Sequence, residues 1–235
     1  MELRRLPRGT HRWSLHTKLT LSVTAVLLVL GFVAFLVFEW SNQGTIGAFG
    51  MGGKLLSGFF GSVTPRTAGF NTIDYGLATP ETLLVNDALM FIGTGSAATG
   101  GGIKVTTMAV LALMVYAELR GEMSVNAFGR RVPPVAQRQA LTIAFLALAG
   151  VIGCTIVLMW TSPYGLSETL FESASAFGTV GLSTGITDEL PTAGKVALIV
   201  LMFLGRIGPH TVGAALILRE RERLYRHPEE RPIIG

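Results

Sequence analysis

The chain has 235 residues, of which 49% are hydrophobic and only 14% charged, with a mean hydropathy of +0.52. Soluble domains carry nearer a quarter charged residues, so the composition excludes an ordinary soluble domain and predicts a membrane protein. The net charge of +4 is not the footprint of a nucleic-acid binder, because the basic residues sit at the two ends and in one central segment. The lone Cys154 excludes an internal disulfide and a Cys-rich zinc site, and reads as a small buried side chain within a helix.

Residues 1–18 hold Arg4, Arg5, Arg8, Arg12 and Lys18. Residues 118–138 hold Arg120, Arg130, Arg131 and Arg138, and residues 219–235 hold Arg219, Arg221, Arg223, Arg226 and Arg231. Segments between spans on the other side carry only Lys54 and Arg66. This asymmetry predicts a cytoplasmic location for both termini and the central loop. The basic start is too long for a signal peptide, and no small-residue cleavage site follows its apolar run.

In chain order, residues 19–40 are apolar and long enough to cross a bilayer core, with Trp40 marking the outer interface. Residues 41–53 are rich in Gly, Ser and Asn and read as a loop. Residues 54–64 are apolar but too short to span, and Pro65 stops them. They read as a re-entrant half-helix, tolerated only where protein or water surrounds its end. The polar stretch Thr67-Ala68-Gly69-Phe70-Asn71-Thr72 follows, and Asp74-Tyr75-Gly76 returns the chain to the surface.

Residues 79–117 form the next apolar stretch. A continuous helix of that length would reach roughly 58 Å, against a hydrocarbon core of about 30 Å. Residues 93–102 explain the excess: Gly93, Gly95 and Gly100-Gly101-Gly102 break the helix, since each glycine costs up to ~1 kcal/mol relative to alanine. Two helical pieces, 80–92 and 103–117, are expected on either side of an intramembrane loop. Residues 118–138 are the basic central segment.

The plan then repeats. Residues 139–160 span and end at Trp160. Residues 167–178 form a second half-helix, with Ser167 as the expected N-cap and Glu168 in the first turn. Thr179-Val180-Gly181-Leu182-Ser183-Thr184 mirrors the first polar loop, and residues 192–218 span back through Gly205-Arg206-Ile207-Gly208-Pro209-His210. Gly69 and Gly181 are separated by the same interval as Met90-Phe91-Ile92-Gly93 and Met202-Phe203-Leu204-Gly205. Two matches at one offset indicate an internal duplication. Each copy begins inside and makes an even number of crossings, so the copies are parallel, whereas broken-helix carriers typically use inverted repeats. The expected domains are a basic N-terminus 1–18, repeats 19–117 and 139–218 around the segment 118–138, and a tail 219–235. The expected fold class is all-α, membrane-embedded, with two parallel helix–pore-loop–helix repeats and re-entrant half-helices.

A half-helix running into a polar glycine loop is an arrangement suited to cation selection. A monovalent cation sheds water in a narrow pore, and backbone carbonyls replace that water. Glycine permits the angles that aim successive carbonyls at one axis, and the C-terminal end of the half-helix carries partial negative charge. Neither loop contains a carboxylate, which favours potassium or sodium over calcium. A mid-membrane arginine costs ~2.5–3.5 kcal/mol on insertion scales and marks a pathway or a partner, which singles out Arg206. Lys104 sits at the lower edge of the glycine loop, from which it can snorkel to the cytoplasm. Glu172 is expected to bond to nearby backbone, Asn86 and Asp87 to a neighbouring loop, and His210 beside Pro209 to mark a kink.

Residues 66–74, Gly100-Gly101-Gly102-Ile103-Lys104, residues 171–184 and Gly205-Arg206-Ile207-Gly208-Pro209 together resemble the bacterial Trk/Ktr pore subunits of the Trk/Ktr/HKT potassium transporters. The resemblance runs over residues 19–219 and covers the third and fourth of the family's four pore repeats. It implies a selectivity filter at Thr67, Ala68, Gly69, Phe70 and Asn71 and at Thr179, Val180, Gly181, Leu182 and Ser183. There potassium is the transported ion and no cofactor is needed. It implies a gate built from Gly100, Gly101, Gly102, Lys104 and Arg206. It implies a missing front half or another copy to complete the four-loop pore, a cytoplasmic nucleotide-binding regulatory subunit, a homodimer of complete pores, and a bacterial inner-membrane location. Two loops cannot enclose an ion alone, so a non-conducting half-subunit and a sodium/potassium symporter remain open. No zinc-binding His pair, Gly-x-Ser-x-Gly elbow or phosphate loop points to an enzyme.

Overall fold

The computed structural model describes residues 13–95, 100–122 and 124–218, with side chains as far as residue 207. The described chain folds into α1 (Leu15–Glu39), α2 (Met51–Val63), α3 (Pro80–Phe91), α4 (Val105–Leu119), α5 (Pro134–Thr161), α6 (Leu166–Gly178) and α7 (Thr192–Leu218). Short 3₁₀ turns at Tyr75–Leu77 and Thr187–Glu189 hold matching places in the two halves. Among the described residues a two-stranded hairpin also forms, Asn126–Ala127 with Arg130–Arg131. Phe128 and Gly129 between them both have positive φ (50° and 76°), as a two-residue turn joining right-twisted strands requires.

Local chemistry explains most boundaries. Ser14 caps α1 by accepting the Thr17 N–H at 3.1 Å, and Thr79 precedes Pro80 at the start of α3, where a missing N–H costs nothing. α2 begins at Met51, earlier than the apolar pattern predicts, and takes Gly52 and Gly53 into its first turn with Gly50 as its N-cap residue. α6 starts at Leu166 with Gly165 as its N-cap residue and no side-chain cap. Ser167 therefore lies inside the helix and does not cap it. The glycine stretch separates α3 from α4. The two ends are tied by a parallel bridge in which Gly93 N–H donates to Ile103 O at 2.8 Å and Ile103 N–H donates to Phe91 O at 3.0 Å. By contrast, α7 runs unbroken through Gly205 and Pro209. The side chains of Pro209 and His210, the basic ends 1–12 and 219–235, and residues 96–99 of the glycine stretch lie outside the described residues.

In the first half, α1 packs against α2, α3 and α4; in the second, α5 packs against α6 and α7. The halves join where α3 lies along α6 and α4 meets α5. Tyr75 and Phe171, both essentially inaccessible, bring their rings to 5.4 Å across that junction, in a cluster with Phe35, Leu83, Met90 and Leu182. A second cluster gathers Val151, Leu158, Phe177 and Leu201 under the second half. Among the described residues α1 and α5 are long and apolar enough to cross a membrane. Their outward residues, such as Val29, Val33, Phe145 and Ile156, are exposed. A helix apolar all round needs a non-aqueous surrounding.

Candidate ion site

Both candidate filter loops start from a threonine in the left-handed region: Thr67 with φ 68° after α2, and Thr179 with φ 52° after α6. A β-branched residue there is a conformational outlier, and such outliers gather at functional positions. After α6 the Thr179 N–H donates to Ala176 O and the Val180 N–H to Ser175 O. This is the paired helix ending usually built on glycine. After α2 the Ala68 and Gly69 N–H groups both reach Thr64 O, at 3.2 and 3.3 Å.

The second loop is held from behind. Val180 and Leu182 bury their side chains (5% and 1% exposed) while Gly181 between them is exposed. That alternation anchors the loop by its side chains and leaves backbone at Gly181 open. The Glu172 carboxylate braces the outer end. Its Oε1 accepts from Ser183 Oγ (2.6 Å), Thr184 N–H (3.0 Å) and Thr184 Oγ1 (3.3 Å), and its Oε2 accepts from Thr187 Oγ1 (2.7 Å). Glu172 thus bonds to nearby backbone at Thr184, as expected, and also to three hydroxyls. A cavity of about 360 Å³ flanks this loop, lined in part by Glu172, Thr179, Gly181, Ser183 and Met202.

The first loop is braced differently. Thr64 Oγ1 donates to Phe70 O at 2.8 Å, so that carbonyl is engaged by the end of its own helix. Ala68, Phe70 and Asn71 are exposed, and the Phe70 ring is 70% accessible. The loops meet at their glycines: a Cβ on Gly69 (φ 69°) would fall 2.1 Å from Val180 O, and one on Gly181 (φ 95°) would lie 3.8 Å from Gly69 Cα. The structure therefore brings Gly69, Val180 and Gly181 into one contact.

Beneath this contact runs the described part of the glycine stretch. A Cβ on Gly100 would lie 2.8 Å from Thr67 Cγ2, and one on Gly101 would lie 2.7 Å from Thr179 Oγ1. Gly102 has φ 75°. Lys104 is 7% exposed and donates from Nζ to Gly100 O at 2.5 Å. Its side chain therefore turns back into the protein, and a snorkelling Lys104 is not what the chain adopts. Arg206 is exposed on α7, and among the described residues it makes no hydrogen bond to the glycine stretch. The lysine four residues along the same segment holds Gly100 because its stem spans that short distance.

Three other polar residues complete the picture. Asn86 bonds to Thr82 O of its own helix at 2.8 Å rather than to a neighbouring loop. The Oδ1 atoms of both Asn86 and Asp87 are buried without a partner among the described residues. Glu39, which the sequence reading passed over, is wholly buried and accepts from Asn42, Thr45 and Thr79. Its only signal in sequence is an acid at the very end of an apolar span, beside Trp40.

Comparison with known proteins places this arrangement. The TrkH family, described as "Cation transport protein", matches residues 8–223. Ktr system potassium uptake protein B of Bacillus subtilis is 40% identical over 227 residues, covering 95% of this chain and 50% of that protein. Potassium/sodium uptake protein NtpJ of Enterococcus hirae is 40% identical over 229 residues, covering 94% of this chain and 50% of its own length. The potassium transporter TrkH from Vibrio parahaemolyticus shares the fold, with a TM-score of 0.64 at 18% identity over 86% of this chain and 43% of that one. The chain spans about half the length of the curated relatives it matches.

Proposed function

The chain belongs to the TrkH family of cation transport proteins, a membrane transporter family, and from that premise we propose that it supplies half the wall of a potassium uptake pore. Residues 67–71 and 179–183 are the ion-coordinating loops. The observation that carries this reading is the contact of the two loops at Gly69, Val180 and Gly181, each loop issuing from the C-terminal end of a short helix. Exposed backbone at Gly181 supplies oxygen ligands, and the negative ends of α2 and α6 add to the attraction for a cation. The pore is completed by a front half or by another copy of the chain. Both termini and residues 118–138 face the cytoplasm, where a nucleotide-binding regulatory subunit docks. Complete pores pair as dimers.

The glycine stretch below the loops is the gate, built from Gly100, Gly101 and Gly102 with Lys104 beside them and Arg206 on α7. Lys104 holds it in place, and the positive charge of Arg206 raises the barrier to a cation beneath the filter. The name of the Enterococcus relative, a potassium/sodium uptake protein, keeps sodium as a second permeant or coupling ion.

Potassium uptake in a bacterial strain lacking its own importers tests the proposal. Growth at low potassium is expected when the chain is expressed with the front half of a Ktr-type relative. Growth with the chain alone identifies a second copy as the completing element. Membrane insertion and assembly without uptake in either case would show a non-conducting half-subunit and overturn the pore reading.

A further inference from the structure

The Gly101 N–H donates to the hydroxyl oxygen of Thr179 at 2.9 Å. This joins the glycine stretch directly to the first residue of the second candidate filter loop. The approach is too close for any side chain, since a Cβ on Gly101 would lie 2.7 Å from Thr179 Oγ1 and 3.0 Å from Gly178 O. From the other side, Lys104 Nζ holds Gly100 O, and the bridge between Phe91, Gly93 and Ile103 fixes the base. Residues 100–103 are thus a strut whose upper end rests on one hydroxyl. At Thr67, the counterpart in the first half, the methyl group stands nearer than the hydroxyl to the position a Cβ on Gly100 would take (2.8 against 3.1 Å). Among the described residues, the second threonine is the one that accepts a bond from the stretch.

A threonine oxygen offers two lone pairs and one hydrogen. The Gly101 N–H takes one lone pair and sets a partial positive charge beside it. A monovalent cation coordinated at the inner end of the loop would use the remaining lone pair of the same oxygen, and an N–H aimed at that oxygen opposes it electrostatically. The helix ending at Thr179 is of the kind that glycine fills most easily. A β-branched residue in the left-handed region is disfavoured there, and the hydroxyl it brings is the atom the strut touches.

We propose that the Thr179 hydroxyl couples the ion site to the glycine stretch: cation occupancy at the inner end of loop 179–183 and docking of residues 100–102 oppose each other at its oxygen. This rests on reading residues 179–183 as ion-coordinating. Because the coupling is a binding equilibrium, it is reciprocal. The factor by which a bound cation weakens docking is the factor by which docking weakens cation binding.

The test is amide hydrogen exchange at Gly101, measured on the full chain in its conducting assembly in lipid nanodiscs. Choline is replaced by potassium, and potassium binding is measured with radiolabelled ion on the same samples. Wild type is expected to lose protection at Gly101 as potassium saturates, by about 5-fold or more if the coupling is of ordinary size. Thr179→Ser, which keeps the hydroxyl, should behave like wild type. Thr179→Val, which keeps the shape but not the acceptor, should show weak protection that potassium does not change. Saturable potassium binding with unchanged Gly101 protection in wild type overturns the inference and leaves the filter reading standing. So does a potassium-dependent change that persists in Thr179→Val. Absence of potassium binding overturns the filter reading, and the competition falls with it. Should Thr179→Val fail to assemble, the wild-type and Thr179→Ser titrations alone decide the matter.

Discussion

The Cα of Gly69 faces the carbonyl oxygen of Val180 so closely that a Cβ at position 69 would stand 2.1 Å from it. Gly181, its counterpart, has no such neighbour, and the nearest atom to its Cβ position is Gly69 Cα at 3.8 Å. The two glycines share a positive φ but not a steric constraint. Alanine at 181 should therefore cost only conformational strain, about 1–3 kcal/mol. Alanine at 69 adds a collision with backbone that must displace the Val180 carbonyl. Potassium-to-sodium flux ratios in the assembled transporter should fall further for Gly69→Ala than for Gly181→Ala. Equal effects would mean that the two loops do not touch in the working protein.

A second pair of glycines separates packing from propensity. A Cβ on Gly205 would lie 1.9 Å from Phe177 O, whereas one on Gly153 meets nothing within 4 Å. Gly205→Ala should push α7 off the end of α6 and destabilise the chain by about 1–3 kcal/mol, the usual cost of overpacking. Gly153→Ala should be neutral or stabilising by up to about 1 kcal/mol through helix propensity. Thermal unfolding in detergent reads both, and a Gly205→Ala protein as stable as wild type would contradict the packing described.

Much of the architecture is legible in sequence because the bilayer imposes it. The apolar stretches that begin near residues 19 and 139 correspond to α1 and α5, and the glycines at 93–102 mark the break between α3 and α4, since no tertiary contact readily rescues so many glycines. The duplication locates Gly69 and Gly181 without any structure. Legibility ends where the answer depends on which side chain reaches which partner. Position along the chain leaves Lys104 free to snorkel outward, yet it turns back to Gly100 O, because reach and direction are set by the backbone that precedes α4. Glu39 gave almost no signal, since its partners Asn42, Thr45 and Thr79 come from separate segments that sequence alone does not bring together. The hairpin at 126–131 was hidden inside a short basic stretch, and only the turn residues Phe128 and Gly129 hint at it.

Removing the brace behind the second loop should be measurable. Glu172→Ala strips the acceptor from Ser183, Thr184 and Thr187. Bonds to a charged group are each worth about 1.5–3 kcal/mol, although part of this site is open to solvent, which reduces the net loss. The outer end of the loop should loosen. Hydrogen exchange at the Thr184 amide should rise, and ion selectivity should drop. Unchanged exchange at Thr184 would exclude Glu172 as the brace.

Two of the buried carboxylates, Glu39 and Glu172, should respond differently to glutamine, and the difference follows from what faces each oxygen. At Glu172, Oε2 meets only the Thr187 hydroxyl, which also lies 3.0 Å from Ser183 Oγ. A glutamine NH₂ in that place can donate to Thr187 Oγ1. Thr187 then turns its hydrogen to Ser183, and Ser183 still donates to the remaining oxygen, so each hydroxyl keeps a partner and no donor faces a donor. At Glu39 no such rotation exists. Its Oε1 accepts the Thr79 backbone N–H at 2.8 Å, and its Oε2 accepts the Asn42 side-chain amide at 2.7 Å. Asn42 cannot flip to present oxygen without losing the bond its Oδ1 accepts from Gly44 N–H at 2.9 Å and the bond its Nδ2 donates to Leu77 O at 2.9 Å. A glutamine at 39 therefore places an NH₂ against a fixed donor in either orientation. Glu39 is fully buried, so water does not relieve the conflict, and a buried unsatisfied donor costs about 1–3 kcal/mol. Glu172→Gln should keep near-wild-type thermal stability. Glu39→Gln should lose about 1–3 kcal/mol, detected as a lowered melting temperature of the purified protein. Equal melting temperatures for the two variants would show that the Glu39 network is not formed as described.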